Sequence, residues 1–229
     1  MLLALDCALR RTSAALALED GEIISAALPG SQGRLAENLP EAIELVLSSR
    51  KMAGRRVDAD GLLPYVTMIA VTNGPGYFMG VRSGVAFAAA LAYGLGVGVV
   101  PVSTLHMLAL PFLSRGHVLA VAYSGRGRVY AESYGANNAN NKLPPNEYEA
   151  SEAAAWSNKN KAAVTVVSDD PAKVRDNGLN IPDILLSTPD AASVAKIADP
   201  RSAVNPMALR AVYLKAPQTG TITRNKECR

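Results

Sequence analysis

Histidine, cysteine and aromatic residues are scarce in this chain, and each scarcity removes a class of function. Only two of the 229 residues are histidine, His106 and His117. No HxxxH or HExxH pair and no acid cluster accompanies them, so a stable metal site lacks the ligands its geometry requires, and both read as structural. The two cysteines, Cys7 and Cys228, have no CxxC partner and build no disulfide framework, which fits a reducing cytoplasm. Aromatic residues are 5% of the chain while 49% is hydrophobic, so the apolar content comes from Ala, Val, Leu and Ile. That composition suits helices packed closely on a sheet and excludes disorder and collagen-like fibres. A net charge of +3 is too small an excess to predict a nucleic-acid binder. The opening MLLALDCALRR has its basic pair after the apolar run, the reverse of a secretory signal, so no export is expected. No GxSxG is present, and Ser103, Thr104 and His106 fit the start of a capped helix better than a triad.

Charge is also missing locally. From Ser83 to Leu113 no Asp, Glu, Lys or Arg occurs, which on length alone would pass for a membrane span. Gly94, Gly96, Gly98 and Pro101 break that stretch into a helix, a short strand and a second helix start at Ser103, as expected for buried elements of an α/β domain.

The length is near the upper edge of one domain or the lower edge of two. Leu2 to Asp6, Ser13 to Glu19 and Glu22 to Leu28 read as three strands, the last two joined by the hairpin dipeptide Asp20-Gly21. Leu35, Leu39, Ala42, Ile43, Val46 and Leu47 recur at helical spacing, with Pro40 comfortable only in a first turn. Thr67 to Thr72 is a buried strand, Phe78 to Leu95 a long Ala-rich helix, Gly96 to Pro101 another strand, and Ser103 to about Leu110 a third helix. The order is β-β-β-α-β-α-β-α, the plan of the actin-like ATPase and sugar-kinase (ribonuclease H-like) fold; a Rossmann unit would place a helix straight after its first strand. Val118 to Tyr123 and Arg128 to Tyr134 form a second hairpin, followed by a strand at Val164 to Val167 and a helix at Ala191 to Ala198. The expectation is two lobes, residues 1–115 and a smaller, eroded 116–229, with an Asn-rich loop at Asn137 to Asn141 and a loose tail after Pro217.

Three features could carry function. Asp6 ends the first strand, where actin-like kinases place an acid beside a nucleotide's phosphates and metal; the plainer role is to tie down a turn through backbone amides. Asn73-Gly74-Pro75-Gly76 leads into a helix N-terminus, so amides near Gly74 and Gly76 could hold an anion or simply make a sharp turn. It is neither a Walker loop nor a dinucleotide fingerprint. Gly80, Gly84, Ala88 and Ala92 recur every four residues, a helix face almost without side chains, widened by Val81, Val85 and Ala89. Two glycines there cost roughly 1 kcal/mol each in helix propensity, so close backbone packing must compensate. A partner interface is favoured over an internal contact, because a helix apolar all round needs burial on both sides.

GPGYFMGVRSGVAFAAALAYGLGVGVVPVSTL, Gly74 to Leu105, resembles the TsaB (YeaZ) family, whose members carry GPGSFTGxRxG, an Ala/Gly-rich helix and a short strand into VSTL. LLALDCALRRTSAAL is similar to that family's ILAIDTSTxxxSVAL, GRGRVYAESY to a stretch ending RxGEVY, and Val212 to Pro217 to a C-terminal PxYLR. The likeness is strong over about residues 1–110 and patchy beyond. Tyr77 and Met79 stand where the family commonly has Ser and Thr, and Tyr123 or Ser124 where it has an acid.

The resemblance implies a non-catalytic, cytoplasmic subunit needed for threonylcarbamoyl modification (t6A) of adenosine 37 in tRNAs reading ANN codons. It would bind and activate its paralogue TsaD, which holds the metal through HxxxH, with the ATPase TsaE assisting. Further implications are a possible homodimer, contact with tRNA only through the complex, and no cofactor, metal or membrane of its own. The expected partner-binding residues are Leu35, Leu39, Ile43, Gly80, Val81, Gly84, Val85, Ala88 and Ala92. The alternative is a small phosphotransferase or ATPase binding nucleotide at Asp6, Gly74 and Gly76. A zinc peptidase, an older label for this group, is disfavoured by the missing HxxxH.

Overall fold

The computed structural model describes residues 1–29, 35–49, 51–52, 55–56, 63–135, 142–160 and 164–214. Its first three strands, β1 (Leu2–Asp6), β2 (Arg11–Ala17) and β3 (Ile23–Pro29), pair antiparallel, with Leu3 opposite Leu16 and Leu5 opposite Ala14. The turn between β2 and β3 closes at Gly21, whose φ of +89° is the left-handed conformation that the Asp-Gly pair supplies. A single turn of 3-10 helix at Leu35–Asn38 leads into α1 (Leu39–Ser48), and Pro40 falls in its first turn, where the missing N–H does no harm.

A two-stranded ribbon, β4 (Lys51–Met52) and β5 (Arg55–Arg56), precedes β6 (Met68–Gly74), which lies parallel to β1. The long helix α2 (Phe78–Leu95) follows and stops at Gly96, left-handed at φ +70°. β7 (Gly98–Ser103) completes a sheet of order β3-β2-β1-β6-β7. After α3 (Thr104–Ala109) and a 3-10 stretch to Arg115, the same plan begins again. β8 (His117–Gly125), β9 (Arg128–Tyr134) and β10 (Asn146–Glu149) form the antiparallel part, then come α4 (Ala150–Lys159), β11 (Val164–Ser168), α5 (Pro171–Asp176), β12 (Ile184–Leu186) and α6 (Ala191–Ile197). The second sheet runs β10-β9-β8-β11-β12, the counterpart of the first, strand for strand. Two copies of β-β-β-α-β-α-β-α make this an actin-like, ribonuclease H-like fold.

Both sheets are buried on both faces, and the alternation along each strand sorts its residues between layers. Leu3, Leu5, Leu16, Ile69 and Val71 face α1 and α2. Ala4, Ala15, Ala70, Val118, Ala120 and Ala122 face the opposite way, into a layer that the two sheets share and that α3 and α6 fill with Leu105, Met107, Leu108 and Val194. Leu119, Val121, Val129 and Val166 point outward again, under α4 and α5. Wherever a strand of either sheet meets the shared layer with a buried apolar side chain, that side chain is Ala or Val, which leaves room for two helices between the sheets.

The structure revises three expectations. Topologically the second repeat has every element of the first, because β10, α4, α5 and β12 stand where no element was expected; β10, β11 and β12 have five residues or fewer. The chain after Asp199 also returns to the first sheet. Val204 pairs antiparallel with Val99 at the β7 edge through bonds of 3.0 and 2.8 Å, and Leu209 is buried among first-sheet residues. A cut at residue 115 therefore marks where the second sheet begins, but not a clean division of the chain. The Asn137–Asn141 loop and the tail from Lys215 lie outside the described residues.

The third revision concerns α2. It is long and apolar enough to cross a membrane, yet one side is packed on its own sheet: Val81 is 1% exposed, Val85 8%, and Ala88 and Ala92 are fully buried. Gly80 and Gly84 are buried on the same side. Cys7, just past the end of β1, supplies the close neighbour that the bare ridge requires. Its thiol donates to the Gly80 carbonyl at 3.1 Å, and a Cβ added to Gly84 would stand 2.5 Å from Cys7 Sγ. The expected interface ridge is therefore internal. Leu39 and Ile43 are likewise buried against the sheet, and the Leu35 side chain lies outside the described residues.

Gly84→Ala should accordingly cost stability, by about 1–3 kcal/mol for an overpacked core, and Cys7→Ala should restore part of that loss in the double variant. Urea unfolding of the two single variants and the double variant measures the coupling; simple additivity would contradict the contact.

Candidate functional site

The ends of β1 and β6 bring the sequence's chemical candidates together. Asp6 is 2% exposed, and its Oδ1 accepts from Thr72 Oγ1 at 2.7 Å and from the Ala8 amide at 3.1 Å. Burial is the main cause that pushes its carboxyl up to about 6, against the lowering effect of those two bonds; nearby Asp190 adds to the rise. Asp6 thus ties the β1–β2 turn to the end of β6, the plainer of its two expected roles.

Gly74 and Gly76 are packed against the chain's own backbone. A Cβ on Gly76 would lie 2.3 Å from the Ala8 carbonyl oxygen, which also accepts from the Tyr77 amide at 2.8 Å. Gly74 has φ +110°, and a Cβ there would lie 2.4 Å from the Val212 oxygen. The Val212 amide in turn donates to Asn73 at 2.7 Å. The Ala8 and Tyr77 amides are bonded within the protein. The expected cradle is the seam where the β1–β2 turn and the returning C-terminal segment meet.

Across the cleft between the sheets stands a group that sequence reasoning missed. Arg10 Nη1 reaches Asp170 Oδ2 at 3.0 Å, while Asp170 Oδ1 caps α5 by accepting from the Lys173 amide at 3.1 Å. Lys173 Nζ donates to Tyr77 Oη at 3.2 Å and lies 4.8 Å from the Tyr77 ring centre and 4.2 Å from that of Tyr123. Tyr77, a departure from the resembled pattern, and Tyr123 touch the same ammonium. Beside them Asp169 is 8% exposed, and burial, with the Asp170 charge, pushes its carboxyl up to about 6. Isolated Lys and Asp on a short polar helix give no sequence signal of this kind.

The two histidines stand apart. His106 stacks on Tyr134 with ring centres 4.9 Å apart, and His117 meets Trp156 edge-on at 5.5 Å; burial lowers the pKa of both. Among the described residues no three His, Cys, Asp or Glu side chains gather as a metal ion would require.

With its buried ridge inward, α2 turns a different face to solvent. Phe78 is 53% exposed, Met79 56% and Tyr93 71%, with Arg82, Ala86 and Ala90 also on the outer side. Tyr213 packs on the Phe78 ring at 5.3 Å, and the Arg82 guanidinium lies 5.0 Å from its centre. Beside it α1 exposes Glu41, Glu44 and Leu45.

A two-sheet actin-like fold with a long, outwardly apolar helix is the class of protein these features define. Residues 34–154, over half the chain, match the model of the family described as TsaD, tRNA N6-adenosine threonylcarbamoyltransferase, and the chain belongs to that family. YeaZ from Pseudomonas aeruginosa has the same fold, with a TM-score of 0.67 and 23% identity over 93% of this chain and 99% of that one. An uncharacterised protein with similarity to peptidase YeaZ from Pseudomonas aeruginosa gives a TM-score of 0.68 and 24% identity over 93% and 98%. No curated protein matches the chain.

Because the folded carboxyl of Asp6 sits at about 6 against 3.8, the folded chain holds this proton more tightly than the unfolded one. Its contribution is fully present below pH 4 and is lost as pH rises through about 6, on the order of 3 kcal/mol in total. Asp6→Asn should therefore lose less stability than the parent between pH 4 and 7, in urea unfolding at both pH values. Gly76→Ala should be destabilised by at least about 2 kcal/mol at either pH, since its Cβ meets a backbone oxygen.

Proposed function

We propose that this chain is a TsaB-type subunit that binds and activates TsaD in the threonylcarbamoyl modification of adenosine 37 in tRNAs reading ANN codons, without performing the chemistry itself. The observation that carries the reading is the internal engagement of the residues expected to serve a nucleotide. Asp6 accepts from Thr72 and Ala8, and the Ala8 carbonyl that packs closely on Gly76 accepts from the Tyr77 amide, so these residues serve to hold the fold together. In this reading such a member of the transferase family serves as partner to a catalytic relative.

The docking surface in this proposal is the solvent face of α2, Met79, Ala86, Ala90 and Tyr93, flanked by the acidic edge of α1. Small side chains at Ala86 and Ala90 let another helix approach closely, while Tyr93 and Met79 supply the buried area typical of an interface anchor. The same face would serve a homodimer when TsaD is absent. TsaE would join the complex through TsaD, tRNA would be met only there, and the work would be cytoplasmic. The alternative, a phosphotransferase using Asp6, Gly74 and Gly76, requires those residues to be released from their present contacts.

Co-expression with the TsaD subunit of the same cell should yield a stoichiometric complex on a sizing column, and threonylcarbamoyl transfer to tRNA by TsaD should depend on this chain. Ala90→Arg together with Tyr93→Asp should abolish both while leaving the fold's melting unchanged, because these side chains lie on the solvent face of α2. Titration of the isolated chain with ATP and magnesium should give no binding heat; tight binding with hydrolysis would establish the phosphotransferase instead.

A further inference from the structure

Four contacts converge at the mouth of the cleft, and three of them join the two repeats. Lys173, in the first turn of α5, belongs to the second repeat, as does Tyr123 near the end of β8. Tyr77, immediately before α2, and Arg10, in the β1–β2 turn, belong to the first. The Lys173 ammonium is 4.2 Å from the Tyr123 ring centre and 4.8 Å from that of Tyr77, and it donates to Tyr77 Oη at 3.2 Å. Arg10 bridges the same gap to Asp170 at 3.0 Å.

We infer that Lys173 is a built-in clamp, a cation held jointly by aromatic rings from the two repeats that ties them together at the mouth of the cleft. Two features make this more than a surface contact. Lys173 is placed by its own helix start, since Asp170 accepts its amide at 3.1 Å. The same Asp170 takes the Arg10 guanidinium with its other oxygen, so the cap, the ion pair and the aromatic cage share one rigid support. The two legs also differ in strength. The Arg10 side chain is 57% exposed, so its pair with Asp170 contributes little and is weakened by salt. The ammonium between two rings depends on ring quadrupoles and partial desolvation, a stronger and less salt-sensitive attraction. The clamp therefore resides in Lys173, with Arg10 as an auxiliary.

Away from the mouth the repeats are joined by the shared Ala/Val layer and by the bonds that hold α6 to the first sheet, Ser13 Oγ accepting from the Ala191 amide at 2.9 Å and Ser25 Oγ donating to Asp190 at 2.8 Å. Releasing the clamp should thus loosen the mouth locally and leave the joined base intact. This inference stands apart from the proposed role with TsaD, because its test needs only the isolated chain.

Hydrogen exchange by mass spectrometry on the full chain provides that test. Lys173→Met keeps the aliphatic stem and removes the charge; it should speed exchange by roughly twofold to thirtyfold, the range a cation–π contact spans, in peptides covering residues 6–12, 73–79 and 121–127. Peptides from α4 and β9 should not change. Lys173→Arg should stay near the parent, Tyr77→Phe should fall between, and Arg10→Met should produce a smaller acceleration that vanishes at high salt. Unchanged exchange at the mouth in Lys173→Met, or an equal acceleration in Arg10→Met and Lys173→Met at all salt concentrations, would overturn the assignment.

Discussion

The constraint on which the structure depends is the spacing of its two sheets. α3 and α6 lie between them, and they fit because the strands present only Ala and Val to that space among their buried apolar side chains: Ala4, Ala15, Ala70, Val100 and Val102 from one side, Val118, Ala120, Ala122 and Val167 from the other. Bulk comes from the helices, through Leu105, Met107 and Leu108. A larger strand residue in this layer would displace a helix and with it both sheets, since interiors are close-packed and yield little. The outer faces carry no such limit, and there the strands use Leu and Ile.

Placement of the cleft follows from this sandwich. Because the repeats have the same strand order, each brings a hairpin and the start of a helix to one side of the shared layer. At that meeting point the chain makes contacts with itself. The β1–β2 turn leans on the Asn73–Gly76 loop through the Ala8 carbonyl, the Val212 segment backs the same loop, and Lys173 spans the gap between Tyr77 and Tyr123. Glycine is required at 74 and 76 by the closeness of protein backbone. Asp6 keeps an acid where the fold elsewhere uses one for chemistry, but burial and two hydrogen bonds make it a fastening for the turn.

Family membership and site geometry bear on different questions. The match over residues 34–154 takes in α1, α2 and the second hairpin, and it identifies the transferase family. Likeness to YeaZ at 23% and 24% identity concerns the fold. At the cleft this chain has a tyrosine–lysine cage, and on the free face of α2 an apolar surface.

Local signals were enough to delimit much of the architecture. The Ala-rich helix was legible over Phe78–Leu95 and β9 over Arg128–Tyr134, because Gly96 stops the one and turn glycines flank the other. The first repeat's strand and helix order was readable from apolar runs and punctuation alone. In the second repeat β10, Asn146–Glu149, is a polar edge strand, and α5 and β12 have six and three residues, too few for a period to register. The sequence by itself determined that a helix with Gly80, Gly84, Ala88 and Ala92 on one side must meet something at close range. Only the tertiary structure decided that this is Cys7 and the first sheet, so that the opposite face is the one left free. Spacing along a helix states which residues share a side; which body covers that side is settled by the path of distant chain.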